Sequence, residues 1–285
     1  MGIADQCRDQ PLITTAELHR VAAAEGLRFD QAEKDYVILW VLYALSHPEF
    51  TPKEWAFKGG TCLRHCYYPD YRFSEDIDFS CQPREDFLGH AVALLNRIAA
   101  WVQETSGIRM IPKSPQTIPG DFQVEIPLEY SRGGSRTQGL PGVKIHLTSD
   151  EPLRIKPVVC TVKPRYSDLS TFKIAAYHKQ EIVAEKMRAL LQQQKKWPRP
   201  RDLYDLWFIL CRSGEHFPRE ELKKLFVEKC RVRRIQPDRE GLTSENLKEW
   251  NRKAWGNLLG PMLKTLPDYD EVWREWVAVC NEIFG

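Results

Sequence analysis

Residues 57–80, FKGGTCLRHCYYPDYRFSEDIDFS, constrain this chain more than any other segment. Asp76 and Asp78 alternate with Ile77 and Phe79 in a run that predicts a β-strand, and side chains two apart in a strand point to the same face. The two carboxylates would therefore share one face, with Ile77 and Phe79 directed into a core. Carboxylates held side by side repel each other unless a positive charge lies between them.

A diglycine turn precedes this strand. Gly59–Thr61 is predicted to open a short helix, where glycines let the backbone approach a ligand and N–H groups suit phosphate. Hard divalent cations bind one or two carboxylates together with phosphate oxygens. A phosphate-binding turn followed by two metal-binding carboxylates predicts phosphoryl or nucleotidyl transfer; the alternative is a simple turn and an exposed acidic strand. Lys58 could reach a phosphate or be a solvated strand end.

These motifs resemble the signature of the nucleotidyl transferase AbiEii/AbiGii toxin family, within the DNA polymerase β-like nucleotidyltransferase superfamily. The matching residues are Gly59–Thr61 and Arg72–Phe79. The resemblance implies that Asp76 and Asp78 bind Mg²⁺, or Mn²⁺ in its place. It also implies that a nucleoside triphosphate lies near Gly59, Gly60, Thr61 and Ser74. Thr61 stands where many members of the superfamily have serine.

A second block of the chain resembles the same family. It comprises Glu181–Leu190 and Arg199–Leu206. The resemblance implies that Lys186 contacts nucleotide phosphate, that Asp202 joins or supports catalysis and that Asp205 supports these two from one turn further on. From the residues alone, Lys186 lies at the edge of a buried helix face and either extends to solvent or meets a negative group. Asp202 is also suited to the first turn of its helix.

Polymerase β-like enzymes usually carry a third carboxylate on a neighbouring strand. The candidate strand here, Val143–Leu147, places His146 at that position. This histidine could bind metal, position a base or be purely structural, and the sequence leaves these alternatives open. The acidic candidates nearby are Glu125, Glu129, Asp150 and Glu151.

The densest basic segment is residues 195–201, KKWPRPR. It could attract a phosphate backbone while Trp197 stacks on a base, or it could be a solvated loop between helices. The candidate RNA-contacting residues are Lys195, Lys196, Arg199 and Arg201. A glycine-rich loop with Arg132 and Arg136 is either a hairpin tip or another phosphate contact.

Composition places the chain among ordinary globular proteins. It has 285 residues, 42% of them hydrophobic, and a formal net charge of +2, so any nucleic-acid contact must come from a local patch. The longest apolar run, Tyr36–Leu45, is too short to cross a bilayer. Eight scattered cysteines without a C-x-x-C pair favour free thiols in a reducing compartment. We therefore expect a cytoplasmic protein without membrane contact.

The order of helical and strand patterns predicts an α+β protein. The expected architecture is a polymerase β-like nucleotidyltransferase lobe, a mixed sheet with flanking helices, over residues 1–168, followed by a helical C-terminal lobe over residues 169–285. The boundary is set by the change from strand to helix patterning.

The expected function is Mg²⁺-dependent transfer of a nucleotide from an NTP to an acceptor. The family resemblance implies a toxin of a toxin–antitoxin or phage-defence pair, a separately encoded antitoxin or its regulatory region as partner, and the tRNA 3′ end as acceptor. One alternative is nucleotidylation of a small molecule or protein. Another is an NTP-binding regulator without turnover, because no third carboxylate is obvious.

Overall fold

The fold is described from a computed structural model that covers residues 13–82, 86–117, 123–133, 139–193 and 197–285. The chain folds into two compact units. The first comprises residues 1–152 and 157–176, and the second comprises residues 153–156 and 177–285. The boundary expected at residues 168/169 falls before the last strand, which pairs into the sheet of the first unit.

Within the described residues, the first unit contains eight strands in one mixed sheet. They are β1 (Trp55–Lys58), β2 (Asp76–Cys81), β3 (Arg109–Pro112), β4 (Gln116–Thr117), β5 (Gln123–Ser131), β6 (Gly142–Thr148), β7 (Val158–Val162) and β8 (Phe172–Ala176). Their order is β3-β5-β6-β2-β1-β8-β7, and β4 pairs with β5. β2 runs parallel to β6 and antiparallel to β1, which places the aspartate strand in the interior of the sheet.

The helices of the first unit follow from their apolar patterns. They are α1 (Thr15–Glu25), α2 (Phe29–Ser46), the short α3 (Gly59–Cys62) with a π-helical turn (Leu63–Tyr67), and α4 (Phe87–Ser106). α2 is buried on nearly all sides, as its sequence predicts. Arg28 occupies the N-cap of α2, and its side chain donates to Asp30 in the first turn.

Buried charges fix the turn that follows α3. Arg64 is buried, and its guanidinium lies 3.2 Å from Glu25 on α1 and 3.3 Å from Asp35 on α2. It also donates to the carbonyl oxygen of Tyr71 at 2.8 Å. These contacts hold the helix that begins at the diglycine turn against the α1–α2 pair.

The second unit is helical in its described residues. Its elements are α5 (Lys179–Gln193), α6 (Pro200–Trp207), a π-helical turn (Phe208–Arg212), α7 (Arg219–Val232), α8 (Arg239–Leu242), α9 (Glu245–Leu259), a 3₁₀ turn (Gly260–Met262) and α10 (Tyr269–Phe284). The Ser244 and Asp268 side chains cap α9 and α10 by accepting backbone N–H groups. In the described part of the chain, no helix has the length and apolarity needed to cross a membrane.

The segment that leads into β7 is not a strand. β7 begins at Val158. The N–H groups of Arg154 and Ile155 instead donate to the Glu181 carboxylate on α5, at 2.5 and 2.8 Å. The Glu181 carboxylate, distant in sequence, therefore accepts N–H groups that would otherwise be free to bond to a neighbouring strand.

Candidate active site

Four ionisable side chains form one row across four adjacent strands. Lys58 on β1 lies opposite Asp78 on β2, Asp78 opposite His146 on β6, and His146 opposite Glu125 on β5. Directly opposed residues lie on the same face of a sheet, so all four belong to one face and their charges alternate in sign.

His146 connects two carboxylates in this row. Its Nδ1 lies 3.1 Å from Asp78 Oδ1, and its Nε2 lies 3.1 Å from Glu125 Oε2. Burial opposes the charged ring, but Asp78, Asp76 and Glu125 outweigh burial and raise the pKa of His146 to about 9. Both ring nitrogens therefore carry protons at neutral pH, and each donates to a carboxylate.

Gly59 and Asp78 fit together closely. Gly59 has φ = +79°, a conformation that costs other residues energy, and a Cβ added there would lie 3.1 Å from Asp78 Cβ and nearer still to the carboxylate. The Asp78 carboxylate is thus held between His146 and the diglycine turn, with Oδ2 directed toward the turn.

Gly60 is close to Arg72 and Ser74. A Cβ at Gly60 would lie 2.7 Å from an Arg72 guanidinium nitrogen and 2.8 Å from Ser74 Oγ. Both side chains are buried, and Arg72 also donates to the carbonyl oxygen of Phe73 at 3.1 Å. A buried cation and a hydroxyl therefore lie directly beside the turn predicted to bind phosphate.

Thr61 and Lys58 fix the two ends of the turn. The Thr61 hydroxyl, which is fully buried, donates to the carbonyl oxygen of Asp76 and so joins the turn to β2. Lys58 is buried as well, and its Nζ lies 3.7 Å from Glu151 Oε2. The solvated strand end that the sequence left open for Lys58 is therefore not what the structure shows.

The second unit brings Lys186, Asp202 and Asp205 together. Lys186 Nζ lies 2.8 Å from Asp202 Oδ1 and 2.6 Å from Asp205 Oδ2, and Arg199 Nε donates to Asp202 Oδ2. Burial would raise the pKa of Asp202, but Arg199 and Lys186 outweigh it and hold that pKa well below its usual range. Asp202 is therefore ionised at neutral pH.

The candidate RNA contacts are only partly described. Lys195, Lys196 and Arg136 lie outside the described residues. Trp197 is 57% exposed and precedes two prolines, Pro198 and Pro200. The backbone N–H of Arg199 donates at 3.0 Å to Asn251 Oδ1, which anchors the segment to α9. Arg201 is half-buried in the first turn of α6.

Other sequence candidates lie elsewhere. Arg132 donates to the carbonyl oxygen of Ile13 and packs over the Tyr36 ring. Glu129 pairs with Lys113 at 2.7 Å, and Glu151 pairs with Lys58. Of the acidic candidates, Glu125 is the one that contacts His146 in the described structure.

The donor set on β2 fits a hard divalent cation. Across the described ranges, no cluster of three or more His, Cys, Asp or Glu side chains is arranged to hold a metal ion by itself. Asp76 and Asp78 offer two carboxylates on one strand face beside the turn. Mg²⁺ typically uses one or two carboxylates and takes its other ligands from phosphate and water. Asp76 and Asp78 are therefore the residues that would hold it.

Two features of this site were not identified from sequence. The burial of Arg72 against Gly60 could have been suspected, because Arg72 lies inside the recognised run Arg72–Phe79. The direct link from Asp78 through His146 to Glu125 depends on strand register, for which the sequence contains no local signal.

A mixed sheet that carries a diglycine turn beside paired aspartates is the arrangement expected of a nucleotidyltransferase. Residues 40–279 match the family model described as nucleotidyl transferase AbiEii toxin, type IV TA system. The chain belongs to this family, and it is a nucleotidyltransferase toxin of a type IV toxin–antitoxin system. An NTP substrate and an antitoxin partner follow from that membership.

Solved structures agree with this fold. MenT4, the nucleotidyltransferase toxin Rv2826c from Mycobacterium tuberculosis H37Rv, aligns over 95% of this chain and 90% of its own, with 18% identity and a TM-score of 0.68. A structure described as a putative nucleotidyltransferase from H. pylori aligns over 90% of this chain and 96% of its own, with 19% identity and a TM-score of 0.55. At these identities the likeness concerns the fold. No curated protein matches the sequence.

Gly59→Ala is expected to impair both stability and transfer. The left-handed φ costs an alanine about 1–2 kcal/mol, and the new methyl group would displace the Asp78 carboxylate. Gly142→Ala, at the start of β6 in the same unit, is the control, because the added Cβ lies at an ordinary 3.5 Å from the carbonyl oxygen of Leu128. Urea unfolding and transfer assays on both variants test this prediction. Equal effects of the two substitutions would contradict it.

Proposed function

We propose that this toxin transfers a nucleotide from an NTP to the 3′ end of tRNA in a Mg²⁺-dependent reaction. The observation that carries the metal assignment is the fixed Asp78 carboxylate, which lies between His146 and Gly59 with Asp76 on the same strand face. Mn²⁺ is the other ion that suits these oxygen donors.

The reaction joins an acceptor hydroxyl to the α-phosphate. The hydroxyl oxygen releases its proton to solvent and forms a bond to the α-phosphorus, the bond from that phosphorus to the bridging oxygen of the β-phosphate breaks, and pyrophosphate leaves. A metal bound by Asp76 and Asp78 would neutralise phosphate charge and lower the pKa of the attacking hydroxyl. We assign triphosphate binding to the backbone of Gly59 and Gly60, with Arg72 supplying positive charge beside the turn.

The remaining residues around the turn have supporting roles in this proposal. The Thr61 hydroxyl holds the turn to β2 through the Asp76 carbonyl oxygen. Ser74 lies against Gly60, where its hydroxyl is in position to accompany a phosphate. Lys58 supplies a second buried cation on the strand that enters the turn. Together these contacts keep the turn in one geometry before substrate arrives.

Lys186 is proposed to stabilise phosphate charge, with Asp202 and Asp205 holding its ammonium group. Asp202 and Asp205 both lie within hydrogen-bond distance of Lys186 Nζ, which restricts its position. The depressed pKa of Asp202 makes it a poor proton acceptor near neutral pH. We therefore favour an orienting role for Asp202 over general-base catalysis.

An RNA acceptor is favoured by the segment that leads into α6. Trp197 presents an exposed ring on a Pro-Arg-Pro segment anchored to Asn251, and Arg201 follows it. An exposed aromatic side chain among basic residues suits a stacked base and its phosphates. Transfer to a small molecule or protein would not require such a feature. The proposed biological setting is phage defence or growth control, opposed by a separately encoded antitoxin.

One assay separates the candidate functions. The protein is incubated with Mg²⁺, each α-labelled NTP in turn, and either total tRNA or total protein. Label on tRNA supports this proposal, and label on protein or small molecules supports the alternative transferase. NTP binding without transfer in any mixture would overturn the proposed reaction.

Trp197→Ala is expected to raise the KM for tRNA while leaving the KM for NTP unchanged. Loss of one stacked base costs about 1–3 kcal/mol, which corresponds to roughly a 5- to 150-fold increase in KM. Trp197→Phe retains an aromatic face and should recover most of the affinity. Leu266→Ala, at an exposed apolar residue of the same unit, is the control for lost surface area. Equal KM values for Trp197→Ala and Leu266→Ala would contradict base stacking.

A further inference from the structure

We propose that Glu125 and His146 are positioning residues that fix the orientation of the Asp78 carboxylate for metal binding. This inference rests on the proposed function and extends it. It explains how Asp76 and Asp78 could bind a metal ion although the neighbouring strand carries His146 in place of a third carboxylate. The polar chain runs from Asp78 through His146 to Glu125 and ends at Lys144, each link measuring 3.1 Å.

The sheet itself sets the spacing of this chain. Asp78, His146 and Glu125 are directly opposed on β2, β6 and β5, so their backbones are held in line by the hydrogen bonds between the strands. The side chains of Asp78, His146 and Glu125 are 25%, 15% and 19% exposed. Little solvent is therefore available to replace one of these three side chains as a partner for the next, whereas Lys144 at the end of the chain is 56% exposed.

Glu125 decides which way the imidazole ring points. A histidine ring has two broad orientations related by a flip about χ2, and only one directs nitrogen atoms at both neighbouring carboxylates. In the flipped orientation, Asp78 would face a C–H group in place of Nδ1–H. The bond from Nε2 to Glu125 stabilises the correct orientation, and Lys144 holds Glu125 in place.

The oriented histidine in turn occupies one carboxylate oxygen of Asp78 and leaves the other oxygen available for a metal ion. Because Oδ1 accepts from His146, Oδ2 is directed toward the diglycine turn, where Gly59 provides space by lacking a Cβ. A metal ion bound to triphosphate at that turn would meet Oδ2 without rotation of the side chain. Partners that orient metal ligands in this way typically change metal affinity by about 10–100-fold when removed.

Paired variants of the full-length protein test the inference through metal affinity. Mn²⁺ is titrated in the presence of a non-hydrolysable NTP analogue, and free Mn²⁺ is measured by electron paramagnetic resonance. Glu125→Ala is expected to weaken Mn²⁺ binding about 10–100-fold, whereas Glu125→Gln, which keeps an acceptor for Nε2–H, should retain most of it. Glu129→Ala is the matched control, since Glu129 lies on the same strand but pairs with Lys113.

Two substitutions of His146 test its hydrogen bonds to Asp78 and to Glu125 separately. The amide nitrogen of His146→Asn can take the place of Nδ1 and donate to Asp78, whereas the longer side chain of His146→Gln reaches toward Glu125 instead. We expect His146→Asn to retain more Mn²⁺ affinity than His146→Gln. Equal Mn²⁺ affinities in Glu125→Ala and Glu129→Ala, or the reverse order of the two His146 variants, would overturn the inference.

The Asp78→Asn variant distinguishes failure of the positioning role from failure of the proposed function. If Asp78→Asn leaves Mn²⁺ binding unchanged, the metal assignment itself is wrong. If Asp78→Asn abolishes Mn²⁺ binding while the Glu125 and His146 variants bind normally, the metal assignment stands and the positioning role falls.

Discussion

Asp78→Asn should lower the rate of nucleotidyl transfer on the order of 10³-fold while the protein remains folded. A bound divalent ion contributes several kcal/mol to transition-state stabilisation, and a loss of roughly 4 kcal/mol corresponds to about three powers of ten. Asparagine keeps the shape of the side chain and an oxygen acceptor for His146, but it removes the negative charge that a metal requires. The measurement is single-turnover transfer at saturating NTP and Mg²⁺.

The matched comparison for Asp78→Asn is Glu129→Gln, which removes one carboxylate charge from the same sheet away from the row. Its transfer rate should equal that of the unmodified protein. Because Asp78 is only a quarter exposed and pairs with His146, we expect Asp78→Asn to lower the free energy of unfolding by about 1–3 kcal/mol, which a domain of ordinary stability tolerates. Normal transfer by folded Asp78→Asn would rule out the metal role.

The local part of the site was predictable because its signals lie within a short stretch of sequence. The alternation of Asp76 and Asp78 with Ile77 and Phe79 predicted a strand, and the structure confirms it, with Ile77 and Phe79 buried. The diglycine predicted a turn entering a helix, and Gly59 has the positive φ that favours glycine. Each of these features depends on neighbouring residues alone.

The pairing of strands distant in sequence was not predictable in the same way. The contact between Asp78 and His146 requires β2 to lie beside β6 in a particular register, and a shift of one residue would turn His146 to the opposite face. The family resemblance indicated where a third carboxylate is usual, and His146 occupies that position. It did not reveal that the Nε2 of that histidine is held by Glu125.

The second unit contains a buried ion pair that local sequence signals likewise do not predict. Glu181 and Lys229 are almost completely buried, and their charged atoms lie 2.6 Å apart. Glu181 also accepts the N–H groups of Arg154 and Ile155, and Lys229 lies 5.3 Å from the centre of the Tyr177 ring. The sequence around Lys229 contains no signal that its side chain is enclosed.

Glu181→Gln is therefore expected to destabilise the second unit by roughly 3–5 kcal/mol, because it leaves the Lys229 ammonium group buried without a counter-charge. Lys229→Met should cost less, since Glu181 keeps its two backbone N–H donors. The double variant should recover part of the loss, because neutral side chains replace both charges. Urea unfolding of the three variants measures this coupling.

The exposed pair Glu245–Lys248 is the control, where Glu245→Gln should cost about 1 kcal/mol or less. If Glu181→Gln and Glu245→Gln destabilise the protein equally, the buried pair does not have the structural role assigned to it.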